Sequence, residues 1–122
     1  MELNQYPSAI ATAAQTVNNL DFDISRARRQ IAKFENRADA EVATNQDLRN
    51  DAARKAERFQ ILENNADYQK LLDDLAELTH QKATAMSELE KARNGFSAAK
   101  IEARAAIAQQ IAALECAEFI GI

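Results

Sequence analysis

Glu77 and His80 form an E-x-x-H step, which places a carboxylate and an imidazole one turn apart on the same face of a helix. Carboxylate-rich di-metal sites in helical bundles use that step twice, with further glutamates from facing helices. His80 is the sole histidine of the sequence, so the pair reads as a solvated face. Cys116 is the sole cysteine, and nucleophilic use would need a base or a cationic pocket beside it. None lies near it in sequence, and it reads as a small apolar helix residue. The serines have no base partner, there is no Gly-rich phosphate loop, and Asp73-Asp74 lacks the spaced ligands of a calcium loop. No catalytic, cofactor-binding or metal-binding residue is assigned, no cofactor is expected, and the chain is expected not to be an enzyme.

The basic residues carry more structure. Arg26, Arg29, Lys33 and Arg37 are spaced three and four apart, and at about 100° per residue they fall on one side of a helix. Such a stripe could grip phosphates, with Arg54, Lys55 and Arg58 extending it. Between Arg26 and Arg58 nine cationic residues outnumber six acidic ones, a local balance of +3 in a chain of net charge −4, which leaves −7 elsewhere. Glu90 and Glu102 are placed to neutralise the stripe, and no aromatic residues interleave with it as a base-stacking platform needs. A solvated, ion-paired face is therefore the first reading and a nucleic-acid contact the second.

Helices must position these side chains. The 122 residues include two Gly and one Pro, and Ala, Glu, Gln, Lys, Arg and Leu dominate, the types that lose least on entering a helix. A first apolar seam runs through Ile10, Ala13, Val17, Leu20, Ile24, Ala27, Ile31, Phe34 and Ala38, alternately three and four apart, the a/d pattern of a coiled coil. It weakens through Glu41 or Val42, Asn45, Leu48, Ala52, Ala56, Phe59 and Leu62. Asn45 falls on a core position there, as a register-fixing polar residue or a local bend. At Asn64-Asn65-Ala66-Asp67 the pattern resets, with Asn suited to end one helix and cap the next, and Asp67 suited to the positive end of the new helix dipole. A second seam follows through Tyr68, Leu71, Leu75, Leu78, Lys82, Ala85 or Met86, Leu89, Ala92, Phe96, Ala99, Ala103, Ile107, Ile111 and Leu114. Gly95 inside it marks a bend, room for a neighbouring backbone, or a tolerated glycine.

Read outward from Asn64-Asn65, the seams mirror one another. Phe59 meets Leu71, Ala52 meets Leu78, Val42 meets Leu89, Phe34 meets Phe96, Ile24 meets Ile107 and Val17 meets Leu114, each pair of numbers summing to 130 or 131. The expected fold is all-α, a long antiparallel two-helix coiled-coil hairpin forming one domain over residues 1–122, with helix 1 over about 8–62, a turn at about 63–66 and helix 2 over about 67–118. Its expected core is Val17, Ile24, Ile31, Phe34, Phe59, Leu71, Leu78, Leu89, Phe96, Ile107 and Leu114. Two facing helices with many seam alanines make a thin core. Phe22 and Ile101, with Ile61 and Leu72, point outward in this register and predict a second apolar face that pairs two hairpins into a four-helix bundle or docks a partner. The run Glu115 to Ile122 is expected to pack over Tyr6 and Ile10.

Leu48-Arg49-Asn50-Asp51, then Arg54-Lys55-Ala56, Leu62, Asp67-Tyr68-Gln69 and Leu71-Leu72 resemble a pattern in small coiled-coil helical-hairpin proteins of phages, prophages and cyanobacterial plasmids. The likeness spans about residues 48–104 and leaves the N-terminal arm uncovered. It implies an accessory role in a mobile element and carries no catalytic residues. No window is long and apolar enough for a membrane span and no secretory signal is visible, so a cytoplasmic protein is expected, with no membrane partner. The expected function is a non-enzymatic protein–protein interaction module, a homodimer that binds a host, recombination or defence protein through Phe22, Ile101, Arg26, Arg29, Lys33 and Arg37. The rivals are a DNA-binding accessory protein using the basic stripe and a structural virion or scaffold component.

Overall fold

In the computed structural model, residues 1–119 are described, and 92% of them are helical. A single 3-10 turn, Leu3–Gln5, precedes α1 (Tyr6–Thr44), α2 (Asp51–Glu63) and α3 (Ala66–Phe119). No strand occurs among the described residues. Contacts gather the chain into two compact units, a central one of residues 17–84 and a terminal one of residues 1–16 together with 85 onwards.

The helical span expected over about 8–62 is interrupted at residues 45–50, and sequence chemistry explains the break. Asn45 folds its own side chain back, Asp47 N–H donating to Asn45 Oδ1 at 3.0 Å, a local bond that competes with helix continuation. Thr44 Oγ1 donates to the carbonyls of Ala40 and Glu41, occupying acceptors at the end of α1. Asn50 then caps α2 from an extended backbone, its Oδ1 accepting from Ala53 N–H at 2.8 Å. Of the two roles open to Asn45, the bend is the one it plays.

Within the central unit, the contacts show which way the chain runs after this break. Arg58 on α2 donates to Asp39 and Glu35 of α1 at 2.6 and 3.4 Å, Leu62 clusters with Ala38 and Ile31, and Tyr68 on α3 lies 6.3 Å from Phe34, ring to ring. As numbers rise from 58 to 68 their partners fall from 39 to 34, so α2 and the start of α3 both lie antiparallel to α1. The reversal is therefore at residues 45–50 and not at 63–66. Asn64-Asn65 instead joins two helices without reversing them. Asn64 N–H still bonds Gln60 O at 3.0 Å as α2 ends, while Asn65 caps α3 by accepting Tyr68 N–H on its Oδ1, also at 3.0 Å. Gln69 Nε2 donates to Leu62 O at 3.0 Å, adding a side-chain bond across the junction to a carbonyl that already accepts Asn65 N–H at 3.2 Å.

The core of the central unit is Ile31, Ala38, Leu62 and Tyr68, with Phe34, Ile61, Leu71 and Leu75 packed against it, and Ile24, Ala27 and Val42 buried along α1. Ala38 is 1% exposed, the most buried of these. Its small side chain lets the facing helix approach closely. Lys82, on a seam position, is half-buried and places Nζ 2.6 Å from Asp21 Oδ1, so its charged head keeps a partner.

The terminal unit is thinner. Tyr6 stacks on Phe96 with ring centroids 5.7 Å apart and an 18° angle between the planes, and Leu89 is buried. Gly95 is where it is because of that ring: a Cβ there would stand 3.0 Å from Tyr6 Cε1 and 3.2 Å from its hydroxyl oxygen. The room is for an aromatic side chain rather than a backbone. Pro7 sits in the first turn of α1, where its missing N–H costs nothing.

Several expected pairings are corrected by these contacts. Phe34 meets Tyr68 rather than Phe96, and Phe96 meets Tyr6, which the C-terminal run was expected to cover. Three expected core residues, Phe59, Ile107 and Leu114, are exposed at 61, 56 and 67%. Ile61, expected to face outward, packs against the central core. Ile24, Ile31 and Leu89 are buried, and Val17, Leu71 and Leu78 are half-buried. Residues 120–122 of the expected C-terminal packing run lie outside the described residues.

Candidate interaction surfaces

The residues proposed from sequence to carry chemistry come together nowhere as a site. His80 and Cys116 are both exposed, and no group of three or more His, Cys, Asp or Glu side chains among the described residues is arranged to hold a metal ion. Glu77 bonds along its own helix, its Oε1 accepting from Gln81 Nε2 at 3.2 Å.

The basic stripe lies on α1, and its four members are exposed. Arg37 packs its guanidinium over the Phe34 ring at 5.4 Å, and Arg26 packs over the Phe22 ring at 5.9 Å, cation–π contacts within single turns. Within the central unit none of the four forms an ion pair with a described carboxylate. Arg26 instead borders a groove of about 400 Å³ within the central unit, lined by Asp23, Ala27, Gln30, Leu71, Asp74, Glu77 and Leu78. Three carboxylates to one guanidinium make this groove anionic, which repels a phosphate backbone from that end of the stripe.

A second groove, of about 420 Å³, opens beside the α2–α3 junction. Phe59, Leu62, Tyr68 and Leu72 supply its apolar wall, and Lys55, Arg58, Glu63 and Gln69 its polar rim. The junction creates it, because a helix that stops at Glu63 and restarts at Ala66 breaks the line of side chains that would otherwise fill the space. Arg58 is held in place by Asp39 and Glu35, and the Asp39 hydrogen bond raises its pKa further above the ordinary arginine range. Burial pushes the Tyr68 hydroxyl above its ordinary value, an effect the Glu35 carboxylate adds to and Arg58 opposes. Both groups therefore keep one charge state across the physiological range. This groove was not anticipated from the sequence; Asn64-Asn65, read as a reversal, is the signal that could have found it.

Phe22 in the central unit and Ile101 in the terminal unit are exposed at 61 and 64%. On the terminal unit, Ile107, Ile111 and Leu114 are more than half exposed as well, and among residues 104–118 only Ala117 is even half-buried. Large aliphatic side chains recurring along one exposed stretch of helix are unlike the scattered apolar residues of an ordinary surface. No helix of the described residues is long and apolar enough to cross a membrane. Comparison of the chain with protein-family models, with curated proteins and with solved structures returns no match.

Proposed function

We propose that this chain is a non-enzymatic protein-interaction module, an antiparallel coiled-coil hairpin that presents apolar side chains to a protein partner and to a second copy of itself. It acts by occupancy, with Phe22 and Ile101 as apolar anchors and the arginines of α1 orienting the encounter. The observation that carries this reading is the exposure of Phe22, Phe59, Ile101, Ile107, Ile111 and Leu114 on helices otherwise faced with polar residues. The resemblance of residues 48–104 to phage and plasmid hairpin proteins supports an accessory role in a mobile element, with a cytoplasmic recombination or defence protein as partner.

A nucleic-acid reading stands second, on one observation: among the described residues Arg28, Arg29 and Lys33 make no ion pair and remain open to phosphates. Affinity capture on the full chain separates the two. For a protein-interaction module, one partner is retained as salt rises to about 0.5 M and is lost on Phe22→Asp, with helicity unchanged. Retention of DNA that falls steeply with salt and vanishes with Arg29→Glu and Lys33→Glu overturns it in favour of the rival.

A further inference from the structure

We infer that the C-terminal stretch of α3 pairs antiparallel with the same stretch of a second copy, centred on Gln109. The inference rests on the self-association in the reading above and specifies its surface. Lys100, Arg104, Ile107, Ile111, Leu114 and Glu118 are spaced alternately four and three apart and lie within about 80° of one another around the helix. The same face carries Leu89 and Phe96 further back, the two side chains that pack in the terminal unit. α3 thus continues a core-facing seam past Ala103 with nothing among the described residues covering Ile107, Ile111 and Leu114.

The charges choose both the occupant and its direction. Two cations, Lys100 and Arg104, stand at the start of the seam, and two carboxylates, Glu115 and Glu118, stand at its end. In an antiparallel pair centred on Gln109, Ile107 of one copy meets Ile111 of the other, Leu114 meets Arg104, and Lys100 meets Glu118, with Glu115 flanking Arg104. Each half of the seam is the complement of the other half, which is what a two-fold, self-complementary interface requires. A parallel pair in register would set Lys100 against Lys100, Arg104 against Arg104 and Glu118 against Glu118, a repulsive arrangement. Glu102 points away from the seam and does not alter this pattern. Lys100 Nζ lies 4.5 Å from the Phe96 ring centroid, and Arg104 has no ion-pair partner among the described residues. An interface of about five turns is at the small end of specific contacts, so association is expected in the micromolar range.

Sedimentation equilibrium on the full chain, at roughly 1 to 100 μM and low salt, reads the dimer directly. Lys100→Glu with Arg104→Glu is expected to weaken it at least about tenfold, and adding Glu115→Lys with Glu118→Lys to restore it, because exchanging all four signs regenerates the complement only in the antiparallel register. In a Cys116→Ser background, Gln110→Cys is expected to be joined to its counterpart by a short thiol cross-linker. All four substituted charges are exposed, and circular dichroism checks that helix content is kept. A monomer at about 100 μM, or a four-fold swap that stays as weak as the two-fold one, overturns the inference. Capture of a protein partner through Phe22 is unaffected by these variants, so the inference can fail while the partner-binding half of the reading stands.

Discussion

The central unit and the terminal unit are built from the same kind of helix and hold together differently. In the central unit α2 and the start of α3 both pack along α1, burying Ile31, Ala38, Leu62 and Tyr68 in one cluster, and Arg58, Asp39 and Glu35 tie α2 to α1. In the terminal unit the principal contacts are one aromatic stack and one buried leucine, and the helix beyond them is exposed. The difference shows how much an interrupted helix adds to a two-helix pairing. Splitting the second pass at Asn64-Asn65 lets α2 and α3 each present its own apolar side to α1, whereas α3 alone can turn one stripe towards a partner and leaves the rest in water.

The largest expected effect comes from breaking the central core. Leu62→Ala removes a buried side chain from that cluster and is expected to cost about 2–4 kcal/mol in urea unfolding, while Leu114→Ala on the exposed terminal stretch costs under about 0.5 kcal/mol at concentrations where the chain is monomeric. Equal losses at the two positions would mean that the contrast between the units is wrong. The next effect tests what makes the chain reverse. Asn50→Ala removes the cap on α2 and is expected to cost about 1 kcal/mol, with Asn50→Asp retaining most of it, since either side chain presents an oxygen to Ala53 N–H.

The smallest effect sharpens the picture of the terminal unit. Gly95→Ala gains about 1 kcal/mol of helix propensity but crowds the Tyr6 ring, and the net change is expected to be within about 0.5 kcal/mol of zero. In a Tyr6→Ala background the same substitution should recover nearly the whole gain. A thermal-unfolding cycle of the four proteins measures that coupling; strict additivity would show that the ring does not fill the space above Gly95.

Much of the local structure was legible from residue types. Asn64 and Asn65 were readable as a helix end and a cap, and Ile24, Ile31 and Leu89 as seam positions, whereas Gly95 was open between a bend, room for a backbone and a tolerated glycine. Asn45 was readable as a defect in the seam, but a seam defect can be absorbed as a register-fixing polar contact or as a turn. Only the Asp47 N–H bond to its side chain and the Asn50 cap a few residues on make it a turn. The anionic groove beside Arg26 was not legible, because Asp74 and Glu77 reach Asp23 only once the pairing of α1 with α3 is known.

That pairing is where sequence and tertiary structure part. Helix content, the phase of the apolar stripe around each helix and the capping residues are local properties, set by side-chain entropy, spacing and backbone hydrogen bonding within a few positions, and the amino-acid sequence determined them by itself. The register is not local. Phe34 pairs with Tyr68 and Tyr6 with Phe96, both sums being 102, whereas the sequence mirror about Asn64-Asn65 gives sums near 130. The two differ by 28 residues, four heptads, and a slip by whole heptads leaves every seam position facing a seam position. Apolar periodicity is therefore nearly blind to the choice. What decided it was the sum of contacts that do not repeat: the capped turn at residues 45–50, the Arg58 ion pairs and the two aromatic pairs, which can form together only in the folded chain.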